Sequence, residues 1–294
     1  MTEVAPGAVV GFVGLGNMGH PMAARLAAAG YAVRGYDRDP AAGAALADTP
    51  GVTIADGPAD AARGAAAVIL MLPNSDIVES VVPDVLDGLA AGAYLIDMGS
   101  SEPTRTRALA PEVAGRGAAL VDAPVSGGVR GAVAGSLTIM VGGEAAAAEA
   151  VRPVLETMGG KVLHVGPSGA GHALKALNNL MSATHLLVSS EAILVGREFG
   201  LDPAVMLDAV NGSTGRSGST EVKWPKFMLD RGFDSGFALR LMLKDMRIAT
   251  GLATSTGHPS RLGEAATELW AEAADRLPAD ADHTEIIRWL EDRD

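Results

Sequence analysis

Residues 9–26, VVGFVGLGNMGHPMAARL, hold three glycines, Gly14, Gly16 and Gly19, in G-x-G-x-x-G spacing between an apolar β-branched run and an alanine-rich helical run. That pattern suits a strand–turn–helix unit. Gly14 serves the tight turn, Gly16 lets a pyrophosphate approach the backbone, and Gly19 allows the helix to pack closely on the strand. Phosphates then meet the free N–H groups and positive dipole end of the helix. Leu15, Asn17 and Met18, between the glycines, share this candidate cofactor site. The triplet alone is a weak signal in a chain with 37 glycines, but here a strand precedes it, a helix follows, and a second strand, AVRGYD, ends in an acid. Asp37 follows Gly19 at about the ~20 residues expected of an acid that accepts from the adenosine ribose hydroxyls. A carboxylate there repels a 2′-phosphate and favours NAD, while the neighbouring Arg38 guanidinium leaves NADP open. The alternative reading makes Asp37 a turn-initiating residue in DRDP.

Up to about residue 165, compact apolar runs (AVVGFV, AVRGYD, AAVILML, AYLIDMG, AALVDAP, LTIMVGG, KVLHVG) alternate with helical stretches such as HPMAARLAAAG and AAAAEAVRPVLETMG. Such runs read as strands buried on both faces. Their alternation predicts an α/β domain with a mostly parallel, doubly wound sheet. After VGPSGAG the strands stop. One long helix is expected from Ala170 to Phe199, ended by Gly200 with Pro203 beyond it. The remainder reads as helical, broken at NGSTGRSGST, DRGFDSG, STGHPS and LPADADH. The expected organisation is a dinucleotide-binding domain over 1–167 and an all-helical substrate and oligomerisation domain over 168–294, joined by the long helix.

The chain has no cysteine, which excludes disulfides, thiolate chemistry and cysteine zinc sites. Its formal charge of −12, without a Lys/Arg cluster, argues against a nucleic-acid partner. No apolar run approaches the roughly 20 residues that span a bilayer, so no membrane partner is expected. The six histidines are scattered without HxH or HExxH spacing, and no metal site is expected. The start, MTEVAPGAVVGFVGLG, lacks a basic n-region and cleavage site and reads as a first strand, not a signal peptide; the absence of cysteine fits a cytoplasmic protein.

Within the long helix, GHALKALNN (171–179) carries Lys175, Asn178 and Asn179 among apolar neighbours. Gly171, Lys175 and Asn179 recur every four residues and share one helical face. On its own that face reads as solvent-exposed; the alternative is a site lining.

The residues match a known family. FVGLGNMGHPMA (12–23), DAPVSGG (122–128), GHALKALNN and LMLKDMRIA (241–249) resemble, in order, the signature motifs of the β-hydroxyacid dehydrogenases, the group of 3-hydroxyisobutyrate dehydrogenase and tartronate semialdehyde reductase. The resemblance implies a Rossmann-type domain followed by an all-helical one, assembled as a homodimer or homotetramer. It implies that the Lys175 face lines an interdomain cleft, with Lys175 as acid/base and Asn179 beside the substrate. A lysine suits that role when desolvation lowers its pKa, or when its ammonium polarises a carbonyl and donates in step with hydride. Ser126, Gly127 and Gly128 resemble the family's carboxylate anchor, where two glycine N–H groups and a hydroxyl form an anion-binding concavity. Lys244 matches a lysine at the nicotinamide end, with Asp245 as its orienting partner. Leu72 and Pro73 in MLPNS lie where a segment passes under the cofactor. Ser100 in DMGSSEP takes the place of a hydroxyl near the nicotinamide ribose. Met98-Gly99-Ser100 departs from the Ser-Ser-Thr run of several hydroxyisobutyrate dehydrogenases, which leaves the substrate open. Residues 212–227, with Arg216, Lys223 and Trp224, read as a long polar loop, either closing over the cleft or connecting helices with its tryptophan at a subunit interface.

The expected activity is therefore NAD-dependent oxidation of a small 3-hydroxy acid, 3-hydroxyisobutyrate foremost, or the reverse reduction. Tartronate semialdehyde reductase and L-threonate dehydrogenase are the alternatives within the family. Lys175 argues against the imine-reductase branch. A non-catalytic dinucleotide-binding scaffold is the alternative of another class.

Overall fold

The apolar runs form β1 (Val9–Val13), β2 (Ala32–Tyr36), β3 (Val52–Ile54), β4 (Ala67–Leu70), β5 (Tyr94–Asp97), β6 (Ala119–Asp122), β7 (Val125–Ser126), β8 (Leu137–Gly142) and β9 (Gly159–Gly166). Between and after them run α1 (Gly19–Ala28), α2 (Pro40–Ala44), α3 (Pro58–Ala62), α4 (Ser75–Gly88), α5 (Pro103–Gly115), α6 (Gly128–Ala134), α7 (Ala145–Glu156) and α8 (Ala170–Glu198). The second part of the chain adds α9 (Pro203–Asn211), α10 (Leu239–Ser255), α11 (Arg261–Arg276) and α12 (Ile286–Glu291). These elements come from a computed structural model that describes residues 2–292. The chain divides into two units inside α8, between Lys175 and Ala176.

The first unit is one nine-stranded sheet in the order β3-β2-β1-β4-β5-β6-β8-β7, with β9 on β8. Pairing is parallel from β3 through β6, antiparallel where β8 meets β6 and β7, and parallel again at β9. Successive strand residues feed opposite cores. Phe12, Ile69, Ile96 and Val121 join one cluster, and Val13, Val68, Leu95 and Leu120 join the other. That alternation is what a sheet covered by helices on both faces requires.

Three features depart from the sequence reading. β3 and β7 were not anticipated; they are three and two residues long, too short to announce themselves by pattern. β9 is not buried on both faces: it lies outside β8, and Lys161, Leu163 and His164 are exposed, as an edge strand allows. Residues 212–227 are not one loop, because Ser219–Met228 forms a π-helical segment.

In the second unit, Trp224, Phe227 and Met228 of that segment enter a helical core with Leu186, Leu243, Met246 and Trp270. Trp224 is therefore core of its own unit. α8 ends as its sequence dictates. Gly200 adopts φ +98°, and Asp202 then caps α9 by accepting from Ala204 and Val205 N–H. Among the described residues no helix is long and apolar enough to cross a membrane.

Candidate active site

The glycine loop has the geometry its spacing predicts. Gly14 sits at φ +98°, and a Cβ there would collide with the Met71 carbonyl. A Cβ on Gly19 would collide with the Gly14 carbonyl, so this glycine is what lets α1 start against β1. Around Gly16 the space is open: nothing lies within 4 Å of where its Cβ would be. No side chain caps α1 and no acid stands in its first turn, which leaves its positive end to an anion. Gly16 and Asn17 are exposed, and Met18 is half-buried at the helix start. Leu15 differs: its side chain belongs to the core.

Asp37, half-buried at the end of β2, is held from two directions. Leu15 N–H donates to its Oδ2 at 2.7 Å and Asp39 N–H to its Oδ1 at 2.8 Å. Asp39 caps the helix start by accepting from Ala41 N–H, while the Asp39 N–H bond to Asp37 Oδ1 is an Asx turn, so Asp37 also initiates the turn in DRDP. An open cradle at Gly16, an uncapped helix start and a fixed carboxylate at the next strand fit a dinucleotide: Gly14–Gly19 would hold its pyrophosphate and Asp37 its ribose. Arg38 is exposed beside them.

At the carboxyl ends of β5 and β6, Asp97 and Asp122 pair in register, and both are buried. Asp97 accepts from Gly99 N–H (2.9 Å) and from Ser101 Oγ (2.6 Å), fixing the turn that presents half-buried Ser100. Leu72 and Pro73 lie just beyond β4; Leu72 is half-buried and Pro73 exposed. Asp122 accepts from Gly169 N–H (2.7 Å) and His172 N–H (3.0 Å), so a buried carboxylate caps the start of α8. This is a strong arrangement, because charge-assisted bonds and the helix dipole act together. After β7, Gly127 (φ +132°) and Gly128 (φ +61°) take left-handed conformations at the entry to α6, with Ser126 half-buried before them.

Lys175, one turn into α8, is only 8% exposed, and Asn179, the next turn on, is 5% exposed. The solvent-face reading of this helix fails on those two numbers. Exposure falls instead on Leu174, Leu177 and Met181. In the second unit, Asn179 Nδ2 donates to Asp245 Oδ2 at 2.6 Å, and Asn178 Nδ2 donates to Asn179 Oδ1 at 3.1 Å. Lys244 Nζ lies 3.1 Å from Asp245 Oδ1. Asp245 thus gathers two of the sequence-singled residues, Asn179 and Lys244. In the former loop, Lys223 Nζ donates to Ser182 Oγ at 2.8 Å, and Arg216 is exposed. Among the described residues no group of His, Asp and Glu has the makings of a metal site.

Sequence reasoning missed Asp97, Asp122, Thr106 and His172, all buried. A signal existed: YLID and ALVD are aligned strands that each end in aspartate, at the strand ends where open α/β sheets place their sites.

Comparison with known proteins agrees with this geometry. Residues 9–166 match the family model described as the NAD-binding domain of 6-phosphogluconate dehydrogenase. Residues 169–290 match the model described as NAD-binding of NADP-dependent 3-hydroxyisobutyrate dehydrogenase. With relatives that are dehydrogenases of the 3-hydroxyisobutyrate dehydrogenase group, these matches make the chain an NAD-binding oxidoreductase acting on CH–OH groups. The chain belongs to the β-hydroxyacid dehydrogenase family. It is 38% identical over 264 residues to the 2-(hydroxymethyl)glutarate dehydrogenase of Eubacterium barkeri, covering 89% of this chain and 87% of that one. It is 37% identical over 270 residues to the NAD-dependent L-serine dehydrogenase of Pseudomonas aeruginosa, covering 89% and 90%. A solved structure of Mycobacterium tuberculosis 3-hydroxyisobutyrate dehydrogenase with L-serine superposes with a TM-score of 0.91 at 35% identity, covering 96% of this chain and 99% of that one.

Proposed function

We propose that the protein oxidises a 2-substituted 3-hydroxypropanoate, 3-hydroxyisobutyrate foremost, to its semialdehyde with NAD, or runs the reverse reduction. The compounds named for its relatives (3-hydroxyisobutyrate, L-serine, 2-(hydroxymethyl)glutarate) share one unit, a primary alcohol on the carbon next to the carboxylate-bearing carbon. They differ only in the third substituent. Glycerate, the product of tartronate semialdehyde reduction, has the same unit.

The carrying observation is the burial of Lys175 on α8, one turn before buried Asn179. A lysine removed from water without a task is rare. Ser126 Oγ and the Gly127 and Gly128 N–H groups hold the substrate carboxylate. Gly14–Gly19 and Asp37, with Leu72, Pro73, Ser100 and Lys244 toward the nicotinamide, would hold NAD, which would supply hydride acceptance when bound. In oxidation, Lys175 Nζ takes the hydroxyl proton as an amine while the carbon gives up hydride, and the C=O bond forms. In reduction, the ammonium returns the proton to the carbonyl oxygen. Asn179 commits one amide N–H to Asp245 and has a second for the reacting oxygen.

We read the assembly as a homodimer or homotetramer. Met181, Val188 and Val195 recur every seven residues of α8 and, with 84%-exposed Phe199, form an uncovered apolar stripe.

The test is absorbance at 340 nm with NAD and NADP against 3-hydroxyisobutyrate, L-serine, 2-(hydroxymethyl)glutarate, glycerate and L-threonate, for the native protein and Lys175→Ala. NAD-linked turnover of 3-hydroxyisobutyrate, lost by several orders of magnitude in Lys175→Ala at unchanged NADH affinity, supports the reading. Near-native turnover in Lys175→Ala removes it. Preference for glycerate or L-threonate keeps the chemistry and moves the substrate. Silence across the panel with NADH bound returns the scaffold reading.

A further inference from the structure

Asp97 and Asp122 each anchor a different working part: Asp97 the Gly99–Ser101 turn, Asp122 the first turn of α8. Between them stands His172, buried like both acids. Its Nδ1 lies 2.8 Å from Thr106 Oγ1, on α5, and 4.0 Å from Asp122 Oδ2. Its Nε2 lies 3.7 Å from Asp97 Oδ2 and has no hydrogen-bond partner among the described residues.

A buried ring nitrogen left unpaired is costly. An unprotonated Nε2 would also turn its lone pair toward a carboxylate, which is repulsive. The Thr106 hydroxyl lies within reach of two acceptors, the Glu102 carbonyl oxygen at 3.1 Å and Nδ1 at 2.8 Å; we assign its single proton to the shorter contact, which leaves the ring proton on Nε2. At 3.7 Å the Nε2–Asp97 contact is too long for a hydrogen bond. A shift of roughly half an ångström or a little more closes it, and contacts in working sites often tighten on loading.

We infer that His172 is a positioning residue. Its main chain is docked on Asp122 with the helix that carries Lys175, and its ring faces, 3.7 Å away, the Asp97 carboxylate that holds the Ser100 turn, a contact that closes when the site is loaded. The imidazole thus couples the loop on the cofactor side to the start of the lysine helix and fixes the separation between them. This inference rests on the reading of Lys175 as acid/base.

The test compares His172→Gln, His172→Asn and His172→Leu, with Lys175→Ala beside them. A glutamine amide reaches the place of Nε2 and an asparagine amide that of Nδ1. Each variant is assayed for kcat per NADH-binding site, for NADH affinity by fluorescence, and for the primary isotope effect with 3-hydroxyisobutyrate dideuterated at the carbinol carbon. Nitrogen-15 NMR of the histidine-labelled protein, with and without NADH, reads the tautomer independently of turnover.

Expected are a protonated His172 Nε2 whose resonance shifts when NADH binds, and a kcat lower by roughly 10- to 100-fold in the Leu and Asn variants, the scale of a small misplacement. Their isotope effect rises, NADH affinity is unchanged, and His172→Gln recovers most of the loss. A proton on Nδ1, or Leu and Asn variants with native kcat and isotope effect while Lys175→Ala is inactive, overturns the coupling alone. Loss without rescue by Gln overturns it too, because a packing role would not distinguish the two amides. An active Lys175→Ala removes the lysine reading instead, and with it what His172 would position.

Discussion

Gly171→Ala adds one methyl group where the structure has no room for it. A Cβ at this position would collide with the Met140 carbonyl oxygen and lie 2.9 Å from both the carbonyl oxygen and Oδ2 of Asp122, where ordinary contact begins at 3.4 Å. Two of these neighbours are main chain of paired strands, and the third is the carboxylate that caps α8, so none yields easily. The helix start must lift from the sheet by on the order of 1 Å, an overpacking that costs about 1–3 kcal/mol. Stretching the Asp122 bonds to Gly169 and His172 N–H adds roughly 1–2 kcal/mol. For a chain of this size the sum corresponds to a fall in Tm of roughly 5–15 °C. Lys175 is one turn further along the same helix and moves with it, and a misplacement of about 1 Å costs on the order of 100-fold in kcat. The glycine loop and Asp37 belong to β1 and β2, remote from Met140 in the strand order, so NADH affinity is expected to stay native. The assay is kcat normalised to NADH-binding sites, with Tm followed by calorimetry. A Gly171→Ala protein with native kcat would refute the argument that this close approach sets the lysine, whatever its Tm.

Further outcomes follow from the same geometry. Asp37→Ser removes the carboxylate held by Leu15 and Asp39 N–H, and the NADP-over-NAD ratio of kcat/KM should rise roughly 10- to 100-fold as a like-charge contact of about 1–3 kcal/mol disappears; a native protein that already uses both equally contradicts the reading of Asp37. Asp245→Leu removes both the carboxylate oxygen near Lys244 and the acceptor of Asn179 Nδ2; kcat is expected to drop at least about tenfold, with a stability loss of roughly 1–3 kcal/mol for the buried amide left without its acceptor, and unchanged kcat would show that Asn179 needs no such support. Burial, joined by the Lys223 charge, holds the His283 imidazole below its ordinary value against the opposing pull of Asp282. The unfolded chain therefore binds a proton that the folded one refuses, so stability falls as pH drops below about 6.5, by at most ~1.4 kcal/mol per unit. Asp282 is buried too, yet hydrogen bonds from His283, Thr284 and Ser235 outweigh that and depress its carboxyl, so its contribution is lost only below about pH 4. His283→Asn should flatten denaturant midpoints between about pH 6.5 and 4.5, and a slope unchanged by the substitution would assign that window to another group.

What the sequence made legible is chemistry written in short spacing. The Gly14–Gly19 loop, Asp37 at the end of the next strand, and the Gly200 stop of α8 all depend on neighbours within one or two elements, and all fold as their pattern dictates. The π-helical Ser219–Met228 was hidden because its polar residues, not its three core side chains, dominate the composition. The Asp97–Asp122 pair was hidden for another reason. Twenty-odd residues separate the two acids, and only the β5–β6 register makes them neighbours. Once neighbours, two buried carboxylates require donors, and the chain supplies them from the Gly99–Ser101 turn and from the first turn of α8. The requirement that buried charge be satisfied thus does what no local propensity can: it ties the place where α8 begins, and so the position of Lys175, to the end of a strand some fifty residues earlier. The lysine is legible as a motif, but its position is a property of the sheet.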